Sequence, residues 1–453
     1  MLSNMKNLGS GVVIAALVMT FMTTPTHAGT TITSLKGSVY YALENNRNLA
    51  VSASRVTAAE AQVDAATGQL LPRLDLSTGF YRTNSPLNSF GTILQQQQIS
   101  TADFDPAALN NPAYTDNYMT RLGLTMPLYT GGALYAARNK ASANMKSASL
   151  QVQFQQQLLV YQTIAAYVQS RQALAQVGAQ ANAVKAAEQR LSDAKALKKR
   201  GMAIASDVMD AHVYVLRSQL ALDNAQHQYE NSLENLRLVL GMDNEATLGQ
   251  LQEPFLHDIT ASLSDLLAEA PQQRADLLVL IQQKEAASAS TSQAKSGYMP
   301  HVNLTAASEW HSETLGLNNV NNSIGLTVSM NLFAGGSDSA QVRAAEAASI
   351  GLALQQEDKR QQIANEIRQA WRSLNMAKNK LRSESEAYKQ TTESLRIKAL
   401  RHKQGLETTS DLLASQVRTD QAQVMLIRAK YDVLIAKAAL LLAAGTLNEG
   451  AVQ

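Results

Sequence analysis

The chain has 453 residues, no cysteine, 17% charged residues and a formal net charge of +2. Without thiols there is no disulfide framework and no site for an N-terminal lipid, and near-neutrality argues against nucleic acid as a partner. Soluble proteins average about 25% charged residues, so this Ala-, Gln-, Ser- and Leu-rich chain suits long, closely packed helices better than one compact core.

In chain order, residues 1–28 read as a secretory signal peptide. Lys6 supplies the charged region, Val12 to Phe21 the apolar stretch, and Thr26-His27-Ala28 a small-residue cleavage site. The apolar run is short of the ~20 residues a membrane helix needs, and no later run reaches that length.

Residues 29–242 form a first structural repeat. A helix is expected from about Ser34 to Leu70, ending before Pro72 in LPRLDL, because proline breaks helices. Leu74, Leu76 and Phe80 then alternate as one face of a strand. The stretch from Asn84 to Asp116, dense in Asn, Pro, Asp and Ser, reads as a loop. Its Asp103, Asp105 and Asp116 have no standard calcium spacing, so no metal or other cofactor is expected.

A second strand places Leu122, Leu124, Met126 and Leu128 on one face and closes at Gly131 and Gly132. Two glycines let the backbone swing from strand to helix without a side-chain clash. A 68-residue helix from about Ala133 to Arg200 follows, roughly 100 Å long at 1.5 Å per residue. Val160, Ile164, Tyr167 and Leu174 give it a coiled-coil-like seam. Lys198, Lys199 and Arg200 complement its dipole, and Gly201 suits a left-handed cap. Ser206 is the expected cap of the next helix, whose first turns hold Asp207 and Asp210 and which ends near Leu240.

After a linker at 243–261, residues 262–446 repeat the pattern, leaving a tail at 447–453. A helix from about Ser262 to Ser296 precedes Pro300 in MPHVNL. Val302, Leu304, Ala306 and Trp310 line one strand; Ile324, Leu326, Val328, Met330 and Leu332 line the next, which closes at Gly335 and Gly336. Another 68-residue helix, Ser337 to Gln404, carries the seam Ile363, Ile367, Trp371 and Leu374. Arg401, His402 and Lys403 then lead to Gly405, Ser410 as expected cap, Asp411, and a helix ending near Ala444.

The two copies are related by fixed offsets. Pro72 matches Pro300 and Asn48 matches Asp276, with 300 − 72 = 276 − 48 = 228. Beyond the strands the offset is 335 − 131 = 405 − 201 = 204, so the 24-residue difference falls in the loop after Pro72. Exposed loops tolerate such changes, whereas a rod of set length does not.

Strands apolar on one side and polar on the other fit either a half-buried soluble sheet or an outer-membrane barrel. The signal peptide and the missing hydrophobic partner layer favour the membrane. Four strands cannot close a barrel, because about eight is the practical minimum, so strands must be pooled between chains, 8 from two or 12 from three. There is no HExxH, GxSxG or phosphate-binding glycine loop, so no enzyme is expected.

The LPxL-like segments at Pro72 and Pro300, the PLYTGG and NLFAGG closures, and the GxxxxSDVMDA and GxxxxSDLLAS turns together resemble the TolC-like outer-membrane efflux protein family. The resemblance spans nearly the whole chain beyond residue 28. It implies a mainly α fold with a membrane β portion: four strands per chain in a shared 12-stranded trimeric β-barrel, continued by a long α-helical barrel. It further implies a homotrimer in outer-membrane lipid, docked to a periplasmic adaptor and an inner-membrane ABC or proton-driven transporter.

In such a channel Asp411, Asp207 and Asp210 would line the periplasmic aperture, and Gly201, Ser206, Gly405 and Ser410 would form the adaptor-docking turns. Ala414 stands where some members carry a second acid, and Arg274-Ala275-Asp276 where many read Arg-Pro-Asp. Capping alone also explains the residues of the turns. The competing reading of the whole chain is a non-channel adhesive or structural stalk.

Overall fold

The computed structural model describes residues 32–242 and 248–451, so the expected signal peptide lies outside the described residues. The first repeat contains α1 (Leu35–Asn45), α2 (Arg47–Gly68), β1 (Arg73–Thr83), α3 (Pro86–Gln95), α4 (Pro106–Asn110), β2 (Thr115–Thr130), α5 (Ala133–Lys199) and α6 (Ala205–Leu240). The second contains α7 (Leu263–Gln273), α8 (Ala275–Lys295), β3 (His301–Ser312), β4 (Val320–Ser329), α9 (Ser337–Lys403) and α10 (Thr409–Ala444).

The four strands form one antiparallel sheet in chain order. Its register aligns Leu74, Leu124, Ala306 and Ile324 in one row and Met126, Leu304 and Leu326 in another. These rows share a face, because side chains alternate with period two. No described residue covers that face: Leu76, Ile324 and Leu326 are 73%, 79% and 61% exposed. The opposite face carries Ser77, Arg121, Glu309, Asn321, Thr125 and Thr305, with Arg121 and Glu309 paired at 3.3 Å.

Two strand expectations need correction. The register shifts between Pro127 and Tyr129, so Leu128 is unpaired and Tyr129 takes the place opposite Val302. β4 stops at Ser329, leaving Met330 and Leu332 outside it. Ser329 pairs with His301, the first residue of β3. Pro300, next in line, has no N–H with which to extend the ladder.

The connection from β1 to β2, expected as plain loop, holds α3, a 3-10 turn at Thr101–Phe104 and α4. Pro86 and Pro106 start its helices, since proline's missing N–H costs nothing at a first helical position. This connection spans residues 84–114 and its counterpart 313–319, so 31 − 7 = 24 residues separate them.

The long helices α5 and α9 each have 67 residues. In the half nearer the sheet, α5 lies between α2 and α8, and α9 lies against α8. In the far half α5 packs on α6 and α10, and α10 packs on α9. The cores sit midway along the rod, where Val160, Ile164 and Tyr167 meet Leu35, Val39, Leu236 and Leu240. Ile363, Ile367 and Leu374 likewise meet Leu266, Leu277 and Leu440. Further along, the buried Ala179, Ala183, Ala187 and Ala194 let helix backbones approach closely.

The half-length helices nearer the sheet are not continuous. The expected 34–70 helix breaks at Asn46 and the 262–296 helix at Arg274, equivalent positions because 274 − 46 = 228. Asn46 caps α2 by accepting from the Asn48 and Leu49 N–H groups at 3.0 and 3.2 Å. Its amide donates to the Val239 carbonyl at the end of α6. Arg274 donates to the matching Ala443 carbonyl at the end of α10, at 2.9 Å. Each break is wedged against a left-handed glycine. A Cβ on Gly241 would lie 2.9 Å from the Asn45 carbonyl oxygen, and one on Gly445 2.8 Å from the Gln273 carbonyl carbon. The breaks thus seat α1–α2 on α6 and α7–α8 on α10, end to end.

Candidate functional site

At the far end of the rod two turns have nearly superposable backbones. Gly201 and Gly405 have φ of +76° and +75°. In each turn the following N–H reaches back to the helix, Met202 to the Leu197 carbonyl at 2.9 Å and Leu406 to the Arg401 carbonyl at 3.0 Å. This six-to-one bond with a left-handed glycine is a Schellman closure.

The serines do not cap the returning helices. α6 begins at Ala205 after Ile204, and α10 at Thr409 after Thr408, so Ser206 and Ser410 both lie inside the first turn. Thr408 is the cap: its hydroxyl accepts from the Asp411 N–H at 3.1 Å and donates to the Asp411 carboxylate at 2.6 Å. Ile204 has no side-chain acceptor, and there the Asp207 carboxylate accepts from the Ile204 N–H at 3.0 Å. Asp207 and Asp411 are therefore tied to their own turns, which leaves part of each carboxylate available to solvent.

Asp210 is exposed and stands three residues further along α6 than Asp207. It lines a groove of about 770 Å³ between α6 and α10, together with Ser410, Arg217 and Arg428. α5 supplies the groove floor through Gln180 and Ala183. The Tyr214 hydroxyl crosses the groove to donate to the Asp420 carboxylate, which also accepts from Gln416 at 3.0 Å. Burial and the neighbouring Asp420 push the Tyr214 phenol well above its ordinary range, so it stays a donor.

Glu407 distinguishes the two turns. It pairs with Arg401 at 3.2 Å and Lys398 at 3.4 Å. The matching first-repeat positions, 204 earlier, are Ala203, Leu197 and Ala194, which carry no charge. Sequence reasoning missed Glu407, although an acid six residues after a base across a turn is a readable signal. It also missed Tyr214 and Asp420, which stand 206 residues apart and give no local signal.

At the sheet end, Gly131, Gly132, Gly335 and Gly336 have φ of +61°, +86°, +63° and +86°. A Cβ on Gly131 would lie 2.5 Å from the Met299 Cβ, so this position excludes any side chain. Pro72 and Pro300 directly precede β1 and β3. Asp103, Asp105 and Asp116 are spent on the Ser100 turn, the Ala107 N–H and Arg82. No cluster able to hold a metal occurs among the described residues.

A family model described as outer membrane efflux protein matches residues 39–242 and 266–446. The chain is 24% identical over 434 residues to outer membrane protein TolC of Salmonella enteritidis, covering 84% of this chain and 87% of that protein. A membrane protein of Pseudomonas aeruginosa superposes with a TM-score of 0.79 at 21% identity, covering 90% of this chain and 93% of that one. The outer membrane protein VceC of Vibrio cholerae gives 0.77 at 18%, covering 91% and 96%.

Proposed function

The chain belongs to the outer membrane efflux protein family, a family of channels and not of enzymes, and from that premise we propose that it forms a trimeric exit duct. It is an outer-membrane protein of the Gram-negative type. In this reading three copies pool 3 × 4 = 12 strands into a barrel and continue it as a helical tunnel through the periplasm. The duct conducts passively. A periplasmic adaptor and an inner-membrane ABC or proton-driven transporter supply energy and select the substrate, in tripartite efflux or type I secretion.

The observation that carries the reading is a set of open edges on matching sides. β1 and β4 are each paired on one side only. An open strand edge in lipid leaves backbone groups unsatisfied. On the β1 side, α6 exposes Met209, Leu216 and Leu220 by 68%, 53% and 60%, a seam at steps of seven and four. On the β4 side, α9 exposes Ile350, Leu354, Ile397 and Leu400. Each such side chain contributes about 1.5–3 kcal/mol when fully buried. Head-to-tail contact between unlike edges generates a ring when the rotation closes. It would satisfy strands and helices together. The chain exposes 27954 Å², against roughly 17,000 Å² for a compact monomer of its mass.

The apolar sheet face then meets lipid and the polar face lines the lumen, while the turns at Gly201 and Gly405 form the periplasmic rim. Three copies turn Asp411 into a ring of three, and rings of acids set selectivity in pores. Asp411→Asn is expected to change single-channel conductance or cation block in planar bilayers. An unchanged pore would remove the aperture role from Asp411. A chain that neither cross-links as a trimer nor conducts would remove the channel reading itself.

A further inference from the structure

The 31-residue connection between β1 and β2 does not project away from the sheet. It runs across the outer ends of all four strands, on the polar face. At β1 the Ser89 hydroxyl donates to the Thr83 carbonyl at 3.1 Å. At β2 the Gln96 amide donates to the Asp116 carbonyl at 2.7 Å and to the Asn117 side chain at 3.2 Å. Asn117 in turn meets the His311 Nδ1 of β3 at 3.1 Å. At β4 the Asn321 amide donates to the Gln95 carbonyl at 3.1 Å, and the Gln97 amide donates to the Val320 carbonyl at 3.3 Å.

The face is fixed by register. Asn117, His311 and Asn321 alternate with the apolar Tyr118, Trp310 and Val320, so they belong with Arg121 and Glu309 on the polar face. Burial follows the strap. Gln96 is 0%, His311 2% and Asn117 6% exposed, whereas Thr125, on the same face nearer the helices, is exposed. The equivalent connection of the second repeat, residues 313–319, is too short to make this crossing.

We infer that the segment from Pro86 to Asn110 is a lid, which folds into the lumen at the outer mouth and restricts passage there. The inference rests on the channel reading above, since only a closed barrel gives the polar face a lumen. The lid is tied to the strands by amide hydrogen bonds, while Phe90 and Phe104 pack edge to face within the lid itself. Leu87 and Phe104 remain 80% and 61% exposed on it. The net contribution of such hydrogen bonds is small, because water replaces them on opening, so displacement by outgoing substrate requires little work.

The test uses the absence of native cysteine in the full chain, expressed in the outer membrane of intact cells. Thr125→Cys places a thiol on the polar face below the strap, and Ile324→Cys one on the apolar face. A bulky, membrane-impermeant maleimide is added from outside. Slow labelling of Thr125→Cys is expected, accelerated at least tenfold by Gln96→Ala combined with Asn321→Ala. Replacing residues 84–114 by 313–319 should accelerate it at least as much. Trimer formation, read by cross-linking, shows that each variant has assembled. Equal labelling rates with and without the strap in assembled trimers would overturn the lid and leave the channel reading standing. Fast labelling of Ile324→Cys with protection of Thr125→Cys would reverse the two faces and overturn both.

Discussion

The two repeats share a backbone and differ in what their side chains do with it. The left-handed glycines, the 67-residue helices and the break at matching positions are duplicated. Yet the first break is held by the neutral Asn46 and the second by the charged Arg274, Asp276, Lys359 and Glu366. The far turns differ without a common direction: Ile204 and Ala203 in the first repeat stand where Thr408 and Glu407 do in the second, whereas Lys198, Arg200 and Asp210 of the first stand where His402, Gln404 and Ala414 do. The geometry that sets rod length is common to both copies, while the buried ionic tie of Arg274 and Asp276 belongs to the second break. The second break should therefore respond to lost charge and to acid where the first does not.

The largest effect expected is at the breaks. Arg274 is 5% exposed and donates to Asp276, to Glu366 and to the Ala443 carbonyl. Removing one partner of a buried ion pair costs about 3–5 kcal/mol, because the other charge is left uncompensated. Arg274→Ala should lose stability on that scale in denaturant unfolding of the assembled protein. Asn46→Ala loses a helix cap and one hydrogen bond, about 1–2 kcal/mol. Equal losses at the two sites would break the contrast between the repeats.

Acid provides the next comparison. Burial pushes the Asp276 carboxyl up, but hydrogen bonds from Arg274 and Lys359 outweigh it and hold the group at about 2. A carboxyl depressed in the folded state contributes stability above its unfolded pKa, near 4, and loses it as pH falls through the folded value. Across that window about 2–3 kcal/mol should disappear between pH ~4 and pH ~2. Asp276→Asn should flatten that part of the stability profile. An unchanged acid limb would show that the ionic tie is not what steadies the second break.

How much of this was readable follows from how local each cause is. The repeat offsets, the strand faces, the glycine swings at Gly131 and Gly335 and the rod length were all legible, because each rests on spacing within one segment. Pro86 and Pro106 were readable as helix starts, but the Asn- and Asp-rich composition around them argued for loop and prevailed. The breaks at Asn46 and Arg274 were not legible. Both flanks favour helix, and the groups that stabilise the break, Val239 and Ala443, lie 193 and 169 residues away. The groove pair Tyr214 and Asp420 was hidden for the same reason. The capping serines failed differently: the right motif was found, but the helices begin one residue before each serine, so Thr408 holds the cap and Ser410 does not.

That displacement gives the smallest prediction. Thr408 both accepts from the Asp411 N–H and donates to its carboxylate, so it satisfies one orphan backbone donor and fixes the acid's rotamer. Thr408→Ala should cost about 1 kcal/mol, the usual value of a cap. Ser206→Ala and Ser410→Ala should stay within about 0.5 kcal/mol, as exposed first-turn positions without a capping bond. Ile204→Ala should be equally mild, since its N–H keeps the Asp207 carboxylate whatever its side chain. Thr408→Ala should also free the Asp411 carboxylate to change rotamer, so cation block in planar bilayers should shift with it and not with Ser410→Ala. If Ser410→Ala were the costlier change, the cap would belong two positions later and the two tips would be alike in chemistry as well as in backbone.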